Sequence, residues 1–402
     1  MVKPLSALAL AGLAVAQNNA APDLVTALTG AASELSTLAG LVPASILTTL
    51  SSLQNITLLA PSNAAFAKVN NATLGALTAN PGLLSALLTY HVLNGTFAST
   101  AITEDSVFVP TLLTNTSYAN VTGGQRVEVE EEDDKVVFYS GLGMNSTVTT
   151  ADVRFSGGVI HIIDTVLSIP PAASDALTAG GLTSLRGALV RANLVDTVNT
   201  TPDVTIFAPN NDAFKNIGSA LPNLTTEQLT SILTYHVVAG TVGYSAGLTN
   251  GTKLKTVNGA ELTITIDDDD VFVNDARVIM TDVLIGNGVV HVIDEVLNPN
   301  NATIASPDAD EGDPAFEGAT PVSDAPFTSG QPTPTATTNA AVKGAVGVGA
   351  LFGAAAVYLL VDITPPPCRI VAYTPTSLFQ ATAIHIWDGL NPVIGMVWSG
   401  LV

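Results

Sequence analysis

Gly157 to Leu167 reads Gly-Gly-Val-Ile-His-Ile-Ile-Asp-Thr-Val-Leu, and the same phrase returns at Asn287 to Leu297 as Asn-Gly-Val-Val-His-Val-Ile-Asp-Glu-Val-Leu. Each copy is a near-continuous apolar run opened by glycine, the pattern of a strand covered on both faces. Working backwards from it, Leu-Thr-Tyr-His-Val occurs at Leu88 to Val92 and again at Leu233 to Val237. Further back, Ile56 to Phe66 (ITLLAPSNAAF) matches Val204 to Phe214 (VTIFAPNNDAF). The order is the same both times, so the chain is a tandem duplication of a whole domain. Each copy spans about 130 to 150 residues, enough for its own hydrophobic core and far longer than a solenoid repeat.

Local signals give each copy a coarse structure. Ile56 to Ala60 and Val204 to Ala208 are β-favouring runs closed by Pro61 and Pro209. The Ser62-Asn63 and Asn210-Asn211 pairs then supply N-caps for short helices that turn Phe66 and Phe214 inward. A second helix follows. Asn80-Pro81 opens it in copy one, and Thr225 with Gln228 has capping-box spacing in copy two. Leu84, Leu87, Leu88 and His91 fall at i, i+3, i+4 and i+7, as do Leu229, Ile232, Leu233 and His236, which places both histidines on the buried stripe. Strands are expected at Gln125–Val129, Val136–Tyr139, Glu261–Ile266 and Val271–Val273. The acidic knots between them, Glu128 to Asp134 and Asp267 to Asp270, read as solvated hairpin tips.

Two histidines per copy raise the question of chemistry. His161 with Asp164, or His291 with Asp294, could be drawn as an oriented base. A histidine alternating with aliphatics in a buried strand ordinarily makes structural hydrogen bonds, and that is the reading taken for Tyr90, His91, His161, Asp164, Tyr235, His236, His291 and Asp294. No third ligand stands at zinc spacing, and the acidic knots lack the EF-hand pattern. There is no nucleophile elbow, phosphate loop or carboxylate pair in an apolar setting. No catalytic, metal-binding or cofactor-binding residue is assigned, and no cofactor is implied.

The ends describe a route to the cell surface. Met1 to Ala16 has the layout of a cleaved secretory signal. Ten Asn-x-Ser/Thr sequons occur, at Asn55, Asn71, Asn94, Asn115, Asn120, Asn145, Asn199, Asn223, Asn250 and Asn301. Cys368 is the single cysteine, so no intrachain disulfide can form. A formal charge of −21 repels phosphate backbones and excludes nucleic acid as a partner. From 300 to 338 the chain turns to Pro, Thr, Ser, Asp and Gly, the composition of a disordered stalk. Gly344 to Val361 is apolar and uncharged, either a membrane span of minimal length or the tail of a glycolipid (GPI) anchor signal with Asn339 as its candidate cleavage site. Asp362 to Val402 carries no motif, and its status stays open between a tail and residues beyond the true end.

The three motifs in order resemble the fasciclin-domain family over Ala21 to Leu167 and Ala173 to Leu297. With signal, stalk and apolar tail, the layout resembles the family's fungal cell-surface members. The resemblance implies an α+β fold of two tandem fasciclin domains (residues 21–169 and 173–298), each a wedge of mainly antiparallel strands with packed helices. It also implies adhesion or matrix organisation rather than catalysis, outside the plasma membrane or in the cell wall, with cell-surface or wall components as partners and membrane attachment by anchor or single span. A binding module for a small apolar or glycan ligand is the rival expectation. In animal members the Tyr-His segment has been proposed as an integrin contact, which would map to Tyr90-His91 and Tyr235-His236; the helical spacing argues against it by placing those histidines inside.

Overall fold

The computed structural model describes residues 21–268, 270–301, 316, 318–330, 381–386 and 393–398. The signal region, Asn339, the apolar segment 344–361 and Cys368 lie outside these residues. Both domains belong to one compact unit. In the other, Ala381–Ile386 pairs antiparallel with Val393–Trp398.

The first domain begins with three helices, α1 (Leu24–Gly30), α2 (Ala32–Leu41) and α3 (Ala44–Ser52). Strand β1 (Ile56–Pro61) leads into α4 (Asn63–Lys68), α5 (Asn71–Ala79) and α6 (Pro81–Tyr90). Six more strands follow: β2 (Val92–Asn94), β3 (Val107–Pro110), β4 (Arg126–Glu132), β5 (Lys135–Ser140), β6 (Met144–Phe155) and β7 (Gly158–Ile163). The second domain repeats the plan with α7 (Ala173–Ala179), α8 (Thr183–Arg191), α9 (Val195–Thr200), β8 (Val204–Pro209), α10 (Asn211–Asn216) and α11 (Thr226–Tyr235). Its sheet is completed by β9 (Val237–Ala239), β10 (Lys253–Lys255), β11 (Glu261–Asp267), β12 (Asp270–Val273), β13 (Ala276–Ile285) and β14 (Gly288–Ile293).

Each domain holds one mixed, barrel-like sheet packed with helices, in the orders β2-β1-β7-β6-β5-β4-β3 and β10-β11-β12-β13-β14-β8-β9. The duplicated His strand is central in both. It pairs parallel with the proline-closed strand, Ile56 opposite Gly158 and Val204 opposite Gly288, and antiparallel with the strand before it. This explains the motif's glycine: a Cβ on Gly158 or Gly288 would lie 1.8 Å from the carbonyl oxygen of Ile56 or Val204. Apolar cores form on both sides of each sheet, one under the helices and one among the strands.

The local signals act as the sequence suggests. Ser62 and Asn210 accept the N–H of Ala65 and Ala213, Asn80 caps α6 ahead of Pro81, and Thr225 with Gln228 closes a capping box on α11. The partner asparagines do something else. Asn63 bonds Thr37 N–H and Ser33 O, while Asn211 bonds Ser184 N–H and Gly181 O, tying the earlier helix of each domain to the later one.

One sequence expectation is corrected. The first acidic knot is not all hairpin tip, because β4 runs on to Glu132 and only Asp133 and Asp134, both at positive φ, make the turn. Glu128 and Glu130 are buried on the strand, where Ser106 Oγ donates to both. Within the stretch read as a stalk, residues 318–330 pack on the second domain: Phe327, an apolar anchor that the average composition hides, joins its core together with Phe316 and Ala319. Phe327 sits at φ +60°, a conformation that costs roughly 1–2 kcal/mol. Half-burial of its ring, roughly 100 Å² at about 25 cal/mol per Å², is of the size needed to offset that cost.

Candidate functional site

The Tyr-His motif ends the second helix of each domain. His91 and His236 are C-cap residues at φ −81°, 3 % and 2 % exposed, and the tyrosines before them are fully buried. His91 Nδ1–H donates to Leu87 O at 2.8 Å, and its Nε2 accepts the N–H of Leu167 at 3.0 Å. His236 repeats this with Ile232 O at 2.8 Å and Leu297 N–H at 2.9 Å. Both ring nitrogens are therefore used, in the neutral tautomer with the proton on Nδ1. Burial holds both imidazoles down at about 4, against 6.5 in water. Tyr90 and Tyr235 give their hydroxyls to the carbonyls of Arg126 and Glu261. Each motif thus clamps a helix end to the segment after the His strand and to the far half of the sheet.

The strand histidines use the opposite tautomer. His161 Nε2–H donates to Phe97 O at 2.7 Å while Nδ1 accepts Asp152 N–H at 3.3 Å; His291 does the same with Gly243 O at 2.8 Å and Asp282 N–H at 3.3 Å. Asp152 and Asp282 stand at positive φ where the pairing register of β6 and β13 shifts. Their carboxylates hold the 97–99 and 243–245 loops through Ser99 and Ser245. These aspartates escaped the sequence reading, although each lies nine residues before its histidine. That shared offset is the signal that could have found them.

Asp164 and Asp294 do not orient the histidines. Asp164 accepts Thr147 N–H and pairs with Lys68 at 3.3 Å, and Asp294 accepts Arg277 N–H. Three residues on along a strand from His161 or His291, each aspartate belongs to the opposite face, so no oriented base is assembled. Among the described residues no group of three or more His, Cys, Asp or Glu side chains could hold a metal ion. In the second acidic knot Asp270 is engaged by Arg277 at 2.6 Å.

What the structure does build is a joint. Thr122 N–H and Oγ donate to the two oxygens of Asp203 at 2.7 and 2.6 Å, Asn120 N–H donates to Gly286 O, and buried Gln125 donates to Ile285 O at 3.0 Å. Phe108 stacks on Tyr244 with centroids 4.2 Å apart, and Leu142 enters the second domain's core. Burial raises the Tyr244 hydroxyl well above its ordinary value. The joint leaves a cavity of about 140 Å³ walled by Leu83, Leu87, Tyr118, Ile169, Pro170 and Asn287. Asn287 Nδ2 donates to Val198 O and Thr201 O, so its buried Oδ1 faces away from them without a partner.

The sequons divide by the same geometry. Asn55, Asn71, Asn94, Asn115, Asn223, Asn250 and Asn301 are exposed; Asn120, Asn145 and Asn199 are half-buried. Asn120 Nδ2 donates to Thr200 O across the joint, and Asn199 exchanges two hydrogen bonds with Ser174.

Comparison with known proteins agrees with this architecture. The fasciclin domain family model matches residues 33–170 and 180–299. A fasciclin-like arabinogalactan protein of Arthroderma benhamiae is 42% identical over 286 residues, covering 70% of this chain and 68% of that protein. The fasciclin-like arabinogalactan protein elcF of Phaeosphaeria nodorum is 32% identical over 254 residues, covering 63% and 81%. A solved FAS1 domain pair from the insect cell adhesion molecule fasciclin I aligns at 21% identity with a TM-score of 0.32, covering 63% of this chain and 92% of that one. Fasciclin domains are non-catalytic modules with adhesive and structural roles in extracellular proteins. With both copies matched and the four histidines of the two domains spent on internal hydrogen bonds, the chain belongs to the fasciclin-domain family, as two tandem domains resembling the fungal fasciclin-like arabinogalactan proteins.

Proposed function

We propose that this chain is a secreted, surface-tethered glycoprotein that adheres to or organises cell-wall and matrix components through the exposed surface of a fixed domain pair. The observation that carries the reading is the joint: Asp203, Thr122, Gln125 and the Phe108–Tyr244 stack hold the two domains together, so the pair presents its surface as one unit. Seven exposed sequons on that surface supply glycans as further contact groups. The buried Tyr-His motifs are structural clamps rather than contacts, as are His161 and His291. Tethering rests on the C-terminal sequence: the short, glycine-rich run at 344–361 suits a cleaved glycolipid-anchor signal, with Asn339 as the new end. A cell-wall pull-down and glycan array with the chain from Gln17 to Gly330 tests the adhesive role. Retention on wall or matrix material is expected, and its absence on every fraction would remove the reading.

The joint cavity supports a second reading, a small-ligand module, since its lining sets apolar Leu83, Leu87, Ile169 and Pro170 beside polar Thr116, Ser117 and Asn120. Its size limits the ligand. Pockets for drug-sized molecules run from about 300 Å³, whereas a dry cavity of about 150 Å³ holds benzene. Here a single small ring would fit and a glycan chain would not.

A further inference from the structure

Residues 318–330 form a strap across helices α8 and α10 of the second domain. Ser219 N–H donates to Thr320 O at 3.2 Å, Thr320 N–H donates back to Ser219 Oγ at 2.7 Å, and Val322 N–H donates to Lys215 O at 3.0 Å. Phe327 meets Phe214 edge-on with centroids 6.1 Å apart, and the Arg191 guanidinium lies 5.4 Å from the Phe327 ring. The seat is cut to this segment. Gly187 lies inside α8, where glycine is unfavourable, yet a Cβ there would stand 1.9 Å from Phe327 O. A Cβ on Gly218 would stand 2.2 Å from a Val322 methyl carbon. The counterpart of Gly187 in the first domain, Gly40 of α2, faces open space.

Among the described residues the strap is held by three hydrogen bonds to the groove, by Phe327 between Phe214 and Arg191, and by Val322 against Gly218. Between Asn301, where the second domain ends, and Phe316 lie the residues numbered 302–315, a contour of up to about 50 Å at 3.3–3.6 Å per residue. We propose that the strap is exchangeable, and that the α8–α10 groove of one copy accepts residues 318–330 of a second copy, giving a reciprocal, two-fold pair. The occupant is a second copy because this chain itself carries the segment whose backbone and side chains match the groove. Every contact made within one copy is remade between two, so the balance is set by linker and concentration. A short linker supplies the strap to its own groove at an effective concentration of about millimolar, so pairing belongs to crowded settings such as a coated surface. This deepens the adhesive reading by naming a homotypic partner, but its test does not depend on wall binding.

Two full-length variants isolate the exchange. Gly187→Val closes a groove and frees its strap; Phe327→Ala with Val322→Ser weakens a strap and leaves its groove open. Sedimentation of each alone should give monomer, and an equimolar mixture in the upper micromolar to millimolar range should give a 1:1 species of twice the mass. Adding Phe327→Ala to the Gly187→Val copy should abolish that species. Gly218→Val, which expels Val322 instead, repeats the test if Gly187→Val does not fold. A mixture that stays monomeric, or a pair that survives loss of Phe327 from both copies, would overturn the proposal.

Discussion

Acid should loosen this protein through two residues, His91 and His236. Both are buried and neutral, with pKa values held at about 4 by burial against 6.5 in the unfolded chain. The folded pKa is the lower one, so between these values the unfolded chain binds more protons. The contribution is therefore complete above pH 6.5 and is lost as the pH falls toward 4. Between about pH 7 and about pH 5 each histidine removes about 2 kcal/mol from its own domain, a substantial share of the roughly 5–15 kcal/mol that stabilises a domain. Falling net charge works the other way over the same range, so the comparison must be with a chain that differs only in these groups. His91→Gln with His236→Gln keeps polar atoms near both partners and cannot titrate. At neutral pH the variant should be less stable by about 1–3 kcal/mol per site. Denaturant melts at each pH should show that deficit shrinking by about 2 kcal/mol per site on acidification. Parallel stability profiles for wild type and variant would refute the assignment of neutral, buried imidazoles.

The strap gives a reversal of sign. Gly187→Ala should destabilise the wild-type chain, because a Cβ there stands 1.9 Å from the Phe327 carbonyl oxygen, yet stabilise a chain cut after Asn301 by about 0.5–1 kcal/mol, the helix preference of alanine over glycine; thermal melts of the four combinations decide it. Glycopeptide mass spectrometry should find Asn120 and Asn199 unmodified and exposed sequons such as Asn71 and Asn223 occupied, because the first two side chains are engaged in hydrogen bonds. Calorimetric titration should show no stoichiometric micromolar Ca²⁺ site, since Asp270 is held by Arg277 and the first knot's Glu128 and Glu130 face Ser106; a site lost with Asp267→Asn would contradict this.

What could be read in the sequence was what neighbours in the chain decide. Ser62, Asn210, Asn80-Pro81 and the Thr225–Gln228 box are caps whose partners lie within three residues. The Gly-Val-His strand was legible because burial on both faces forces an apolar run. Partners far apart in sequence were not. Glu128 looks like a surface charge until β3 and β5 bring Ser106 and Tyr139 beside its strand, and Asp152 looks like a turn residue until β7 sets His161 opposite it. The strap was hidden for the same reason: Phe327 is one aromatic in a polar stretch, and its seat is a glycine inside α8 and another in the turn after α10, each more than a hundred residues earlier. Asn287 occupies the place of Gly157 in the first copy, and its partners, Val198 O and Thr201 O, lie more than eighty residues earlier in the chain.

Binding to wall material by beads coated with the wild-type chain and with the His91→Gln, His236→Gln variant tests the central claim, that the duplicated motifs build the domains while the exposed surface of the pair makes the contacts. At a neutral pH where both remain folded, equal binding is expected. Loss of binding by a variant whose fold is intact would make the Tyr-His motifs the contact residues and contradict the account.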